Sequence, residues 1–183
     1  MKRIVWTFGL IAGAFVSLML AVSSQFIDEI GSAGVVIGFT TMVLAFLMVY
    51  MGIRQYRDQV AGGPIGFGRA FKVGILITLV TSLCYVATWE LMYFQLTPQY
   101  GQLMAEAARK RIQTSDRPPA EIAAELRKSE AFMRRYQNPA FNAAITFTEI
   151  FPVGLVMTLV SAGILSRRRR GVPAAGLRAG LSA

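Results

Sequence analysis

The stretch GSAGVVIGFTTMVLAFLMVYMGI, Gly31–Ile53, runs for 23 residues without one charged side chain. A helix rises ~1.5 Å per residue. A hydrocarbon core ~30 Å thick therefore needs about 20 apolar residues, with roughly 17–25 accepted. This one segment is already long enough to cross a bilayer, and few helices buried in a soluble domain run so far uncharged.

Three more runs flank it. Ile4–Val22 is 19 residues without a charge. Val73–Trp89 is 17, continuing to Leu96 with Glu90 as its only ionisable interruption. Ile150–Ser166 is 17, reaching back to Ala140 with only Glu149 charged. The expected fold class is therefore all-α, an integral membrane bundle of four transmembrane helices with an extramembrane helical hairpin between helices 3 and 4. The spans fall at about 4–26, 33–53, 71–96 and 140–166, and the hairpin at 97–138. Residues 1–170 form one domain, and 171–183 a disordered tail.

The first run has a second reading as a secretory signal, since Lys2-Arg3 precedes an apolar stretch ending at Ala21-Val22-Ser23. Its apolar part exceeds the roughly 7–15 residues of a signal core, which favours a span. Gly9, Gly13 and Ser17 recur every four residues along it. Small residues at that spacing let two helices approach closely in lipid.

With four spans, the N-terminus, second loop and C-terminus share a side. They carry eleven Lys and Arg, among them Arg69, Lys72, Arg167, Arg168, Arg169 and Arg170, against the single acid Asp58. The first loop is acidic, with Asp28 and Glu29. The positive-inside rule then sets both termini in the cytoplasm. The third loop resists this assignment with eight basic residues, although most lie away from the span ends.

Arg69 and Lys72 beside Phe67 and Phe71, and the Arg167–Arg170 run, suit contact with the headgroups of anionic lipids. Charge gathered at span ends, rather than on a folded basic face, speaks against nucleic-acid binding. The expected partners are the bilayer and a second copy of the chain or another membrane protein.

The loop Thr97–Asn138 reads as two amphipathic helices. Thr97-Pro98 is an expected N-cap pair, and Tyr100, Leu103, Met104, Ala107 and Arg111 form a stripe. A break at Thr114–Pro119 precedes a second stripe of Ile122, Leu126, Met133 and Tyr136, with Glu130 and Arg134 spaced for an ion pair. Asn138-Pro139 ends it and caps the last span. The hairpin reads either as a sensing or partner-binding cap or as a spacer between spans three and four.

Span three has the most ordered pattern. Stepping ~100° per residue from Thr78 gathers Gly74, Thr81, Ser82, Tyr85, Thr88 and Trp89 on one small and polar face. Such a face serves interhelix packing or lines a polar path. Glu90 and Glu149 lie toward the same boundary, off the polar faces of their helices. They read as a paired-carboxylate proton or cation site, or as boundary residues with hydrogen-bonding neighbours such as Tyr93.

The chain contains no histidine and one cysteine. His-ligated zinc, Ser-His-Asp chemistry, disulfide frameworks and cysteine clusters are thereby excluded. No span with these bounds contains an aspartate, and no GxxxxGK[ST] spacing occurs, so neither an enzyme nor a cofactor is expected.

Three stretches together resemble a bacterial family known only as domain of unknown function 4199: Gly62–Gly74 (GGPIGFGRAFKVG), Tyr85–Tyr93 with its Trp89, and Asn138-Pro139 followed by Thr148–Leu155 (TEIFPVGL). The resemblance covers about residues 1–170. It implies a four-helix inner-membrane protein and brings no activity, ligand or catalytic residue with it. The expected role is a scaffold, accessory or sensor protein; the alternative is a small oligomeric proton- or cation-coupled transporter.

Overall fold

The computed structural model describes residues 1–25 and 33–166. Six helices account for most of them: α1 (Lys2–Gln25), α2 (Ala33–Gln55), α3 (Phe67–Leu91), α4 (Tyr100–Gln113), α5 (Pro119–Tyr136) and α6 (Pro139–Leu165). Single π turns at Tyr56–Val60 and Met92–Leu96 prolong α2 and α3. Asp28 and Glu29, the arginines 167–170 and the tail 171–183 lie outside the described residues.

Four of the helices are long and apolar enough to cross a membrane: Lys2–Ser23, Val36–Val60, Phe67–Leu96 and Pro139–Leu165. The four-span expectation is borne out, and the bounds differ most at two places. The second helix does not stop at Ile53, because Asp58 offsets the cations that follow. Its carboxylate lies 3.7 Å from Arg54 and 2.7 Å from Arg57, so the turn can continue. The third begins at Phe67 rather than 71, so Arg69 and Lys72 are exposed in its first two turns.

The spans form a four-sided bundle in the cyclic order α1, α3, α6, α2, with α2 and α3 meeting across its short diagonal. Chain direction makes α1 and α3 parallel neighbours and α3 and α6 antiparallel ones. The apolar core is Phe46, Val49, Ile53, Val73, Ile77 and Ile150, all essentially without exposure.

The outside of the bundle is as apolar as its core. Leu83 is 62% exposed, Leu18 59%, Val156 57% and Trp6 56%, while Thr78, Thr81, Ser82 and Thr158 are wholly buried. A soluble protein rarely exposes so much contiguous apolar surface. An exterior of this kind is suited to solvation by hydrocarbon, and buried hydroxyls find their partners between helices.

The loop between spans three and four is helical, as expected, but its details differ in three places. Thr97 does not cap α4. Its hydroxyl donates back to the Met92 carbonyl at 2.9 Å, closing the π turn of α3, and α4 starts at Tyr100. Beyond Tyr100, which is half-buried, the first stripe is turned outward, with Leu103 52% and Met104 44% exposed. The sheltered side is Gly101, Ala105, Ala108 and Ile112, because small residues let α4 lie close against α5. Finally, Glu130 and Arg134 form no ion pair. They flank a cleft between α4 and α5, and among the described residues the hairpin's ion pair is Arg117 with Glu125.

The second stripe does pack, with Tyr136 buried and Ile122, Leu126 and Met133 half-buried. Asn138 caps α6 as its sequence suggests. Its Oδ1 accepts from the backbone N–H groups of Ala140 at 3.0 Å and Phe141 at 3.3 Å, with Pro139 in the first turn.

Candidate functional site

The polar face of α3 faces two neighbours and is closed by both. Toward α6, Thr78 donates to the Gly154 carbonyl at 3.3 Å, which leaves the Thr158 hydroxyl to donate to Thr78 at 2.9 Å. Toward α1, Thr81 donates to Ile77 O at 3.0 Å and reaches Gly9 O at 3.3 Å. Thr88 gives its one proton to Cys84 O at 2.9 Å, so Ser17 is the donor in the 2.7 Å contact between their hydroxyls. Ser82 Oγ is buried without a hydrogen-bond partner.

The seam is tight because glycines face it. A Cβ on Gly9 would lie 2.7 Å from Val80 Cβ, and one on Gly13 would lie 2.7 Å from Cys84 Cβ. Gly9, Gly13 and Ser17 thus meet Val80, Cys84 and Thr88 in step, four residues per contact on two parallel helices. Gly74 and Gly154 make the same close approach between α3 and α6. Tyr85 stands apart from the seam. It lines a cleft of about 200 Å3 between α1, α2 and α3, with Ser23 and Thr41 as the other polar lining.

Glu90 and Glu149 do not share a site. Glu149 is exposed on α6, opposite its buried Gly154, Thr158 and Ser161 face. Glu90 lies in a separate cleft of about 500 Å3, with Ala87, Leu91, Phe94, Gln95 and Pro139. One of its carboxylate oxygens is buried and without a hydrogen-bond partner. An unsatisfied buried polar atom costs about 1–3 kcal/mol, more when charged.

Tyr93 does not supply the missing bond. It is turned into an aromatic cluster, where its hydroxyl covers Gly101 so closely that a Cβ there would clash.

That cluster is the feature the sequence did not reveal. Trp89 Nε1 donates to Tyr136 Oη at 3.1 Å, joining the end of α3 to the end of α5. Tyr100 meets Trp89 edge-on at 5.6 Å between ring centroids, and Tyr93 meets Tyr136 likewise at 5.4 Å. Phe132 bridges to Phe141 at 6.1 Å. Beneath it, buried Asn142 donates to the Tyr136 carbonyl at 3.2 Å and accepts from Thr146 at 3.3 Å. Burial pushes the phenols of Tyr100 and Tyr136 above their ordinary range, which keeps both neutral.

Its trace in sequence is the four-residue spacing of Trp89 with Tyr93 and of Phe132 with Tyr136. Nothing local pairs Trp89 or Tyr93 with Tyr100 or Tyr136. Above the cluster, α4 and α5 enclose a cleft of about 310 Å3, floored by Ala105, Leu126 and Met133 and edged by Glu106, Arg109, Glu130 and Arg134.

At the opposite end, Phe67 and Phe71 stack at 6.0 Å between centroids beside the exposed Arg69 and Lys72. Among the described residues, no group of His, Cys, Asp or Glu is arranged to hold a metal ion. A family model described as protein of unknown function (DUF4199) matches residues 7–167. Neither a curated protein nor a solved structure matches the chain.

Proposed function

The chain belongs to the DUF4199 family, and from that premise we propose that it is a non-enzymatic, multi-pass protein of the bacterial inner membrane, with both termini cytoplasmic. In this reading it works as a scaffold, accessory or sensor protein that presents the α4–α5 hairpin on the extracytoplasmic side. Its partners are anionic lipids and a second copy of the chain or another membrane protein.

The observation that carries this reading is the aromatic clamp. A spacer would need only to connect two spans. Here Trp89, Tyr93, Tyr100 and Tyr136 hold the hairpin to the bundle in one orientation. A fixed hairpin with a charged-edged cleft is a surface suited to recognition and able to transmit its movement to α3 and α6. The transport alternative loses support from the hydroxyls of α3, since Thr78, Thr81 and Thr88 spend their protons on helix–helix and intrahelical bonds.

The test is to change Cys84 to Ser and introduce Gln113→Cys at the exposed end of α4, next to the turn of the hairpin. An impermeant maleimide added to intact cells labels this thiol if the hairpin is extracytoplasmic. Protection in cells with labelling after lysis overturns the orientation, and with it the extracytoplasmic role.

A further inference from the structure

Glu90 is the one carboxylate in the described spans that is set in a cleft and left with an unbonded buried oxygen. The walls of this cleft are almost wholly apolar: Ala87, Leu91 and Phe94 from the same side of α3, and Pro139 from the start of α6. Among the described residues, Gln95 is the only other polar side chain there, and no Lys or Arg lines the cleft.

The cleft opens sideways rather than into the bundle. Leu83 and Leu91 on that side of α3 are exposed, and they belong to the surface that lipid covers. It also sits at the end of the span, beside the aromatic cluster, at the level where polar heads meet acyl chains. A carboxylate there, short of a donor and flanked by apolar walls, complements a ligand with a cationic N–H head and an apolar body.

We propose that this cleft binds the alkylammonium head of an amphiphile. Glu90 accepts from the ammonium, and Leu91 and Phe94 pack against the first carbons of the chain. The head can belong to a membrane lipid with a primary amine or to a free lipophilic amine. The site is independent of the hairpin's orientation, because the cleft faces lipid whichever side of the membrane it is on.

Trp89 adjoins Glu90, and the only other tryptophan, Trp6, is on the lipid-facing surface. The full chain with Trp6→Phe, in phosphatidylcholine nanodiscs, therefore reports on the site through one fluorophore. Dodecylammonium is the probe, titrated as a mole fraction of the lipid.

The expected result is a saturable change in Trp89 emission, weakened at least ten-fold by Glu90→Gln and within two-fold of the parent for Glu149→Gln. Phe94→Ala leaves the carboxylate in place and weakens the response several-fold, which serves if Glu90→Gln does not fold. Repeating the titration in phosphatidylethanolamine nanodiscs separates the sources. A weaker apparent affinity means that the lipid head occupies the site, and an unchanged one means that a free amine does. A response that does not saturate, or one that Glu90→Gln leaves intact, overturns the proposal.

Discussion

At Gly13 of α1 a single hydrogen stands where any side chain would strike Cys84 of α3. Gly13→Leu should therefore separate α1 from α3 and cost about 1–3 kcal/mol, the usual range for overpacking. Gly38 is the internal comparison, because a Cβ there meets nothing within 4 Å. In detergent, the thermal midpoint should fall for Gly13→Leu and hold for Gly38→Ala; equal falls would mean that the seam is not where the bundle is tight. The hydroxyl pair of Thr78 and Thr158 calls for a smaller effect. Interhelical hydrogen bonds in membranes average about 0.6 kcal/mol, because the separated helices find other partners. Thr78→Val and Thr158→Val should each destabilise by that order, and together by less than their sum. Strict additivity would show that the two hydroxyls do not share a bond.

At the scale of elements, the joint between the hairpin and the bundle rests on few contacts. Tyr136→Phe keeps the ring stack and removes the hydroxyl that accepts from Trp89 Nε1 and interacts with the Thr146 side chain. In the Trp6→Phe background it should shift Trp89 emission and speed protease cutting in the turn between α4 and α5, with the spans intact. Asn138→Ala, which removes the cap of α6, should cost about 1 kcal/mol and loosen the same joint; cutting at the parental rate in both variants would show that the hairpin is held by something else.

The clamp should also depend on pH with a defined sign. The folded pKa values of Tyr100 and Tyr136 are raised, so the stabilising neutral forms persist below the ordinary tyrosine value of about 10. Their contribution is lost as pH rises through the folded values. Protection of the turn should be flat between neutral pH and 9 and decline in stronger alkali.

For the whole molecule, solvation is the governing fact. Hydroxyls and glycines fill the seams, leucines, valines and phenylalanines cover the outside, and cations border the spans at the end near Phe67. Arg69 and Lys72 stand in the first turns of α3, where the helix dipole disfavours cations. Contact with lipid phosphate offsets that cost, at about 1 kcal/mol per basic residue near the surface. Changing both to Gln should lower the enrichment of phosphatidylglycerol around the purified protein by roughly ten-fold or more, read by mass spectrometry of co-purified lipid. Unchanged enrichment would move the anionic-lipid contact to the basic residues that follow α6.

Much of this architecture is written in the chain itself. Transfer of a segment from water to hydrocarbon is close to a sum over its own residues, so four uncharged runs suffice to define four spans. Helix periodicity likewise separates the hydroxyl face of α3 from its lipid-facing side, and Asn138-Pro139 marks a cap by local chemistry alone. The partners of those faces are another matter. That Gly13 meets Cys84, that Leu103 and Met104 turn outward while Ala105 and Ala108 pack, and that Trp89 is bonded to Tyr136 47 residues away depend on how the six helices settle against one another. The unbonded oxygen of Glu90 follows from the same arrangement, since Tyr93, its expected neighbour, is drawn into the cluster by Tyr136. The periodicity of a stripe is a property of one helix. Contact is a property of two, and only the assembled bundle determines it.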